Sequence, residues 1–463
     1  MKFSKIGFLL GFFVLMTMFL MACDEASPTG TITSVAGTVV GNNDQPTGLS
    51  IKTPTPAGRD GRVVLRVWTQ GWKGNPKVED FLNKLIDSYR TLHPNFTLDW
   101  QDYGPNTPTK LSEVLPDDNN APDLVLINPA DLDNFAAHHE LTDLDALAGP
   151  SLRDKFVATA WDSLRWDNHS YGLPWLATGR VTLINKNLWQ QAGLNSLELP
   201  KTFDELNKNL ATLRDKSAKD TTVAWLRPDP LADFMMEGVN LYETGGDGKS
   251  KVAAFNSEVA QGRWQYYAQL RQSGYLAEPG LGGSDAEALK LYSQNKLIMI
   301  TDGLGVLPGL KNQYPELYKN TLVTLYPLSR GNVVPMQLQG WAIPTNARQK
   351  TMALDFVQYL ATADNELTFA KFSDTAVPTL KAALADSYVT SQSEPLAQAR
   401  ALWVQNFATM RVPETLLPQP TLPSQRDNLL NALTTAQRAF WSGKLSPQDA
   451  LDQAAKTWND LLK

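Results

Sequence analysis

The 463-residue chain contains a single cysteine, Cys23, and four histidines. One thiol forms no intramolecular disulfide, and the residues after Cys23 offer no thiol for nucleophilic catalysis or metal binding. The histidines are His93, His138, His139 and His169. His138 and His139 are adjacent, so a helix would direct them to different faces. The sequence therefore predicts no metal site and places the histidines on the surface.

Motifs of several enzyme classes are also absent. No Gly-x-Ser-x-Gly, P-loop or dinucleotide-binding glycine motif begins a helix after a predicted strand. Gly303-Leu304-Gly305 follows an apolar run, but it lacks a third glycine and is interpreted as a turn. The acidic residues form no pattern that pairs two carboxylates for glycoside hydrolysis. The sequence thus indicates a protein that is not an enzyme and needs no cofactor.

The chain has little excess charge and no basic block. The formal net charge is -6, and removing residues 1–22, with two lysines and no acids, makes it -8. This balance argues against a nucleic-acid partner. After the N-terminal segment, no apolar run approaches the roughly 20 residues that span a bilayer. At 43% hydrophobic residues, the chain has ample material for a core, and its length suggests two or three domains.

The N-terminal segment has the order of a secretory signal. Lys2 and Lys5 precede an apolar stretch of about 16 residues. Leu20-Met21-Ala22-Cys23 resembles the bacterial lipobox, in which the cysteine is lipidated and becomes the mature N-terminus. The alternative is an ordinary signal or anchor with a chance cysteine. We predict a lipoprotein signal peptide over residues 1–22, lipidation at Cys23 and an extracytoplasmic protein anchored to the cell membrane.

Residues 23–60 are dominated by Gly, Ser, Thr, Pro and Asn and show no apolar periodicity. This composition predicts a flexible tether between the membrane and the folded body. The alternative is a short edge strand at residues 32–40.

The folded body begins near Arg62 and alternates strands with helices. Apolar runs predict strands, and apolar residues spaced three and four apart predict helices. The alternation is typical of α/β proteins, in which ligands bind beyond the carboxyl ends of parallel strands. Thr202 and Ser446 precede helices as capping residues. The predicted strands are 63–68, 96–100, 122–127, 181–184, 223–225 and 297–300, and a helix is predicted at 351–360.

Several segments in the same order resemble the sugar-binding group of bacterial ABC-importer solute-binding proteins, the group that includes maltose-binding protein. The resemblance runs from about residue 62 to the C-terminus. It is carried by Ala121-Pro122-Asp123-Leu124-Val125, Tyr171-Gly172-Leu173-Pro174-Trp175, Ile184-Asn185-Lys186-Asn187-Leu188-Trp189 with Ala192-Gly193-Leu194, Pro200-Lys201-Thr202-Phe203-Asp204-Glu205-Leu206, Gly340-Trp341-Ala342-Ile343-Pro344, and Gly443-Lys444-Leu445-Ser446-Pro447-Gln448-Asp449-Ala450-Leu451.

The resemblance implies an α/β, two-lobed periplasmic-binding-protein fold of type II, with a ligand cleft between the lobes and several hinge crossings. Lobe 1 is expected at 61–175 plus 340–376 and lobe 2 at 176–339 plus 377–463. Crossings are expected near 175–180, 340–341 and 375–377. The implied function is capture of a mono- or oligosaccharide by cleft closure and delivery to the transmembrane subunits of an ABC permease. The expected state is a monomer held at the membrane by its N-terminal lipid.

Candidate ligand-binding residues follow the predicted strands or lie at the crossings. An ionised aspartate accepts hydrogen bonds from two sugar hydroxyls, and a tryptophan face packs on a sugar ring. The alternatives are helix capping for Asp131 and packing within a lobe or a hinge for the tryptophans. The candidates are Gln70, Trp72, Asn128, Asp131, Trp175, Thr178, Arg180, Trp225, Asp302 and Trp341; Tyr103 and Arg411 are weaker and better suited to surface or scaffold roles.

Two other functions remain open at the level of sequence. Family members often have Gly-Pro-Trp where this chain has Gly303-Leu304-Gly305, so one expected stacking group is missing. A polyamine or another non-sugar solute is a rival ligand, because Asp131, Asp229, Asp233 and Asp302 would supply carboxylates. A structural lipoprotein with a disused cleft is the rival of another class.

Overall fold

A computed structural model describes residues 62–116, 120–276, 284–301, 303–418 and 423–463. The predicted signal peptide, Cys23, the tether and Asp302 lie outside the described residues. Within the described part of the chain, no helix combines the length and apolar character that crossing a membrane requires.

Strands alternate with helices, as predicted, over most of the described chain. The strands are β1 (Val63–Thr69), β2 (Phe96–Asp102), β3 (Leu124–Ile127), β4 (Arg165–Trp166), β5 (His169–Ser170), β6 (Gly172–Gly179), β7 (Val181–Asn185), β8 (Thr222–Trp225), β9 (Tyr242–Thr244), β10 (Lys251–Ala253), β11 (Leu297–Thr301), β12 (Thr321–Leu325), β13 (Val334–Ala342), β14 (Val377–Pro378) and β15 (Met410–Arg411).

The α-helices are concentrated between the strands and at the C-terminus, with short 3-10 turns between some of them. The helices are α1 (Pro76–Leu92), α2 (Thr107–Val114), α3 (Pro129–Ala137), α4 (Leu144–Ala148), α5 (Ala158–Asp162), α6 (Lys186–Gln191), α7 (Phe203–Lys216), α8 (Pro230–Glu237), α9 (Glu258–Gln272), α10 (Asp285–Ser293), α11 (Val306–Gln313), α12 (Pro315–Lys319), α13 (Lys350–Leu360), α14 (Ala363–Ser373), α15 (Ser387–Thr390), α16 (Pro395–Asn406), α17 (Pro423–Trp441) and α18 (Pro447–Leu461).

Local sequence explains how several helices begin. The Asn75 side chain accepts a hydrogen bond from the Lys77 amide at the start of α1, and Pro76 follows as the first helical residue. Thr202 caps α7 and Ser446 caps α18, as predicted. The buried side of α1 has the predicted spacing of three and four, with Val78, Phe81, Leu82, Leu85, Ile86 and Tyr89.

The larger sheet forms the first lobe and has the path β14-β6-β13-β3-β1-β2, with β15 paired to β13. β1 is parallel to both β2 and β3, whereas β13 is antiparallel to β3 and β6. The carboxyl ends of β1, β2 and β3 therefore meet at one edge of the sheet. The loops that follow them contain Gln70, Tyr103 and Asn128, so the strand order places these predicted residues along a common edge.

The smaller sheet forms the second lobe, with the order β12-β7-β11-β8. β11 is parallel to β8 and antiparallel to β7, which also pairs antiparallel with β12. Two sheets, each with its own helices, confirm the predicted two-lobed α/β fold. A second hydrophobic cluster lies among α8, α9, α17 and α18, with Trp264 and Trp458 fully buried in it.

The positions of the crossings follow from sheet membership. β6 stays in the larger sheet to Gly179, and β7 begins the smaller sheet at Val181. At this junction a Cβ on Gly179 would lie 3.0 Å from Trp403 Nε1, so glycine lets the indole pack here without displacement. The chain returns between β12 and β13, over residues 326–333, leaves again after β14 for α16 beside β12, and rejoins the larger sheet at β15.

The expected lobe boundaries at 175/176 and 339/340 fall inside β6 and β13. Both strands pair with each other in the larger sheet, so residues 176–179 and 334–339 lie with the first lobe. The third expected crossing, at 375–377, precedes the end of β14, which also pairs with β6. The differences arise because long antiparallel strands run from one lobe to the crossing itself.

Candidate functional site

The first part of the site lies at the beginning of α3, beyond the carboxyl end of β3. Pro129 occupies the first helical position, and Asn128 before it is the N-cap, whose Oδ1 accepts from the Asp131 amide at 3.0 Å. Asn128 therefore has the capping role that was the alternative for Asp131. Asn128 Nδ2 also donates to Asp131 Oδ2 at 2.5 Å. The cap thus fixes both the helix and the carboxylate.

Asp131 is fully buried, and its counter-charge comes from the other end of the chain. Arg426, on α17, forms an ion pair with Asp131 through Nη1 and Oδ1. Burial raises the pKa of Asp131, while the guanidinium of Arg426 and the Asn128 hydrogen bond oppose the increase. α17 contacts α2 of the first lobe as well as α8 and α18 of the second. The pair therefore lies where the C-terminal helices meet the first lobe.

A second ion pair lies at the crossing between β6 and β7. Arg180 Nη2 donates to Asp229 Oδ2 at 2.8 Å, and its guanidinium lies 5.6 Å from the centroid of the Tyr326 ring. Asp229 is the N-cap of α8, because its Oδ1 accepts from the amides of Leu231 and Ala232. The crossing and the beginning of α8 are thereby held together.

The carboxyl group of Glu414 interacts electrostatically with residues of both ion pairs. It lies in the 3-10 turn Pro413–Leu416, which contacts both α3 and α8. Burial raises the pKa of Glu414, Asp229 raises it further, and Arg426 and Arg180 lower it. We call Asp131, Arg180, Asp229, Glu414 and Arg426 the inter-lobe charged cluster.

Behind this cluster, a buried network fixes α8 against α9. Asp233 Oδ1 accepts from Arg263 Nη2 at 3.2 Å and from the Tyr267 hydroxyl at 2.6 Å. Arg263 Nη1 lies 3.4 Å from Glu237 Oε1, and the guanidinium packs 3.9 Å from the centroid of the Phe203 ring. Since Asp229 caps α8, a network that fixes this helix also fixes the position of Asp229.

The loop after β1 is organised by a carboxylate that the sequence analysis did not select. Asp102 accepts hydrogen bonds from Thr69 Oγ1 at 2.7 Å and from the Trp72 amide at 2.6 Å. Burial raises the pKa of Asp102, but these and further hydrogen bonds outweigh it and hold the pKa below its usual value.

Gln70, half-buried in the same loop, donates from Nε2 to the Leu126 carbonyl at 3.0 Å. Tyr103 is half-buried and donates to Gln101 Oε1 at 2.5 Å.

The predicted tryptophans occupy the core. Trp72, Trp175 and Trp341 are 4%, 0% and 1% exposed and form one aromatic cluster with Phe369. Trp72 lies 4.6 Å from Phe369 and 5.4 Å from Trp341, between ring centroids. Trp225, fully buried, belongs to the core of the second sheet. All four rings are buried and pack inside the lobes, as in the alternative interpretation, and their stacking on a ligand stays a prediction.

Two remaining predicted residues have structural contacts of their own. Thr178 Oγ1 donates to the Thr375 carbonyl at 2.6 Å and joins β6 to the segment before β14. Arg411 is exposed and donates to the carbonyls of Ala408 and Met410, which fits the scaffold role expected of it. The prediction for Asp302 concerns a residue outside the described chain.

Of the predicted residues, the structure brings together Asn128 and Asp131 on one side of the junction and places Arg180 on the other. Sequence reasoning missed Arg426 and Glu414. Arg426 lies near the start of an amphipathic helix and Glu414 in a short turn after Pro413, so neither has a local signal that separates it from a solvated surface residue. Asp229 was noted only as a possible polyamine ligand, although its position before Pro230 is typical of a helix cap.

Comparison with known proteins identifies the family to which this fold belongs. Residues 84–398 match the family described as bacterial extracellular solute-binding proteins. The chain is 29% identical over 169 residues to the diacetylchitobiose-binding protein DasA of Streptomyces coelicolor, a match that covers 35% of this chain and 37% of that protein. It is 22% identical over 311 residues to the sn-glycerol-3-phosphate-binding periplasmic protein UgpB of Pectobacterium atrosepticum, covering 64% of this chain and 67% of that one.

Solved structures share the architecture. Maltose-bound MalE3 of T. maritima superposes with a TM-score of 0.65 at 15% identity, covering 86% of this chain and all of that one (100%). The GacH receptor of Streptomyces glaucescens superposes with a TM-score of 0.62 at 17% identity, covering 86% and 98%. At these identities the likeness establishes the fold. Because the family match covers most of the folded body, this chain is a member of the bacterial extracellular solute-binding protein family.

Proposed function

We propose that this protein captures a neutral carbohydrate between its lobes and delivers it to an ABC permease, without chemical change to the ligand. The observation that carries the proposal is that three carboxylates at and behind the junction already have arginine partners: Asp131 with Arg426, Asp229 with Arg180, and Asp233 with Arg263. A polyamine would need carboxylates whose negative charge is not already neutralised by an arginine. A polyhydroxylated ligand needs acceptors and donors side by side, which such pairs supply.

The names of the relatives support a sugar or a sugar-like ligand, since DasA binds diacetylchitobiose and MalE3 was solved with maltose. UgpB binds sn-glycerol 3-phosphate, so an anionic solute is the alternative to test. Arg180 and Arg426 are each engaged by an aspartate, which favours a neutral ligand over an anion. We further propose that the mature protein is a monomer, lipidated at Cys23 and extracytoplasmic, because residues 1–23 have the order of a lipoprotein signal.

Thermal unfolding of the full chain in mild detergent tests the ligand class. The panel contains mono- and oligosaccharides, diacetylchitobiose, maltose, spermidine and sn-glycerol 3-phosphate. A ligand at about 100 times its dissociation constant adds roughly 2.7 kcal/mol to the folded state, enough to raise the melting temperature by several degrees. A shift with a carbohydrate supports the proposal. A shift with spermidine or the phosphate alone would replace the proposed ligand class.

Lipidation and the permease need separate measurements. Mass spectrometry of the mature N-terminus from membranes should find a diacylglycerol adduct on Cys23, lost in Cys23→Ser. Uptake of the labelled sugar into cells should require both this chain and the permease. Uptake that persists without this chain would contradict a delivery role.

A further inference from the structure

An imidazole and two carboxylates converge at the β4–β5 hairpin. One ligand atom from each of Asp143, Asp145 and His169 lies within 4.8 Å of the other two. We propose that these three residues bind a divalent cation of the zinc class. The site is separate from the inter-lobe charged cluster, and the proposal does not depend on the proposed sugar ligand.

The carboxylates are positioned by the backbone before any ion arrives. Asp143 is the N-cap of α4, and its Oδ1 accepts from the amides of Asp145 at 2.8 Å and Ala146 at 3.3 Å. Asp145 Oδ2 accepts from the Ser170 amide at 3.0 Å. One oxygen of each carboxylate is thus fixed by backbone, and the second oxygen of Asp143 lies 2.8 Å from the His169 imidazole. Preorganised ligands lose little conformational entropy on binding.

The hairpin fixes the third ligand. Asp167 and Asn168 both have positive φ, 45° and 64°, as in the tight turns that join two antiparallel strands. The turn holds His169 with Nδ1 at 2.8 Å from Asp143 Oδ2. The His169 side chain is 55% exposed and that of Asp143 is 26% exposed, so an ion reaches the site from solvent.

The donor set selects the class of ion. Imidazole nitrogen suits zinc and other late first-row metals, whereas calcium and magnesium prefer oxygen ligands alone. Two carboxylates balance the charge of a divalent ion, and water completes a tetrahedron. Tetrahedral ligands at 2.0–2.1 Å from zinc are roughly 3.3 Å apart. His169 Nδ1 and Asp143 Oδ2 therefore need to separate by about half an ångström, within the freedom of partly exposed side chains.

Isothermal titration of the full chain in detergent with ZnCl₂ tests the site. We expect one zinc ion per chain, and about tenfold or greater loss of affinity in His169→Gln and in Asp145→Asn. His138→Gln is the matched control, because it removes another exposed histidine and leaves the three ligands intact. Calcium should produce no binding heat. Circular dichroism of each variant shows whether the fold is retained, and zinc should raise the melting temperature of the parent but not of His169→Gln.

Several results would overturn the proposal. The first is the absence of zinc binding at concentrations up to about 100 µM. The second is equal zinc affinity of the parent and His169→Gln. The third is a loss of zinc affinity in His138→Gln as large as that in His169→Gln. The last result would mean that exposed histidines bind zinc without the two carboxylates. In each case the contact between His169 and Asp143 is a surface hydrogen bond with no ligand role.

Discussion

Asp131 and Arg426 lie 295 residues apart in the chain and form an ion pair between α3 and α17. The Asp131 side chain is 0% exposed and that of Arg426 is 16% exposed. A buried carboxylate without a counter-charge is strongly destabilising, so the first lobe depends on the C-terminal helix for this charge. The last helices are therefore an integral part of the folded body at this junction and not an addition to it.

Replacement of Arg426 by methionine should destabilise the protein. The variant leaves Asp131 buried and without its guanidinium partner, and loss of one member of such a pair costs about 3 kcal/mol. Urea unfolding of the full chain measures the change. Arg438→Met is the matched control, since Arg438 is exposed on the same helix and should tolerate the change.

The double variant Asp131→Asn/Arg426→Met separates charge from packing. Asparagine needs no counter-charge, so the double variant should be more stable than Arg426→Met alone. Equal stability of the single and double variants would mean that the pair contributes through side-chain packing only.

The buried tryptophan cluster should contribute to stability and not to ligand contact. Trp72→Leu removes an aromatic ring from contact with Phe369 and Trp341, and loss of a large core side chain costs roughly 2–4 kcal/mol. The dissociation constant for the ligand, measured well below the melting temperature, should stay within about twofold of the parent value.

Trp458→Leu is the matched control for this prediction, because Trp458 is fully buried in the other hydrophobic cluster. Both variants should lose stability and retain affinity. Selective loss of affinity in Trp72→Leu, at comparable stability, would restore the stacking role that the sequence suggested.

Glu366 should make stability depend on pH. It is fully buried on α14, and its Oε2 accepts from the amides of Thr379 at 2.9 Å and Leu380 at 3.0 Å. Burial raises the pKa of Glu366 to about 8, although these hydrogen bonds oppose the increase. The unfolded chain releases the proton at its ordinary, lower pKa. The stabilising effect of the protonated form is therefore complete below about pH 4.5 and is lost as pH rises through 8.

Glu366→Gln should flatten this dependence. For one proton the free energy of unfolding falls by at most about 1.4 kcal/mol per pH unit between about pH 4.5 and 8. Glutamine does not titrate, and its side-chain oxygen still accepts from the amides of Thr379 and Leu380. Unfolding in urea at pH 5, 6.5 and 8 measures the slope. Glu79 is partly exposed, so Glu79→Gln should leave the slope of stability against pH unchanged. An unchanged slope in Glu366→Gln would assign the pH dependence elsewhere, for example to Asp133, whose pKa burial also raises to about 8.

Asp229→Asn should weaken ligand binding without unfolding the protein. Asparagine retains the cap of α8, but the charge-assisted hydrogen bond to Arg180 becomes a neutral one. If the ligand binds against this pair, its affinity should fall by about five- to thirtyfold, the equivalent of roughly 1–2 kcal/mol. Asp215→Asn, on the exposed side of α7, controls for the loss of a negative charge. Affinity unchanged in both variants would place the ligand away from Asp229.

Local sequence signals predicted much of the fold. Each apolar run identified as a strand lies within or overlaps a strand of the structure, because β-propensity and burial act over a few neighbouring residues. The crossings were less accessible. β13 begins at Val334, several residues before the motif at Gly340. Nothing in the sequence from Val334 to Gly340 indicates to which of the two sheets this part of β13 belongs.

The site was harder to predict for two physical reasons. A tryptophan has the same sequence signature whether its ring packs in a core or on a sugar, so Trp175 and Trp341 gave no basis for a choice. The partner of Asp131 depends on tertiary folding over nearly the whole chain, and no local pattern around Arg426 indicates it. Caps such as Asn128 were accessible in principle, because a proline follows directly.

The crossings between the sheets, at Gly179–Val181, at residues 326–333 and after β14, also have a consequence for proteolysis. A single cut in any one of these segments leaves the two lobes covalently joined through the others. A cut in either of the first two segments leaves β6 and β13 in different fragments that remain paired, and a cut after β14 leaves β13 paired with β15 of the other fragment. A nicked molecule should therefore run as one species on size exclusion and as two bands only after denaturation.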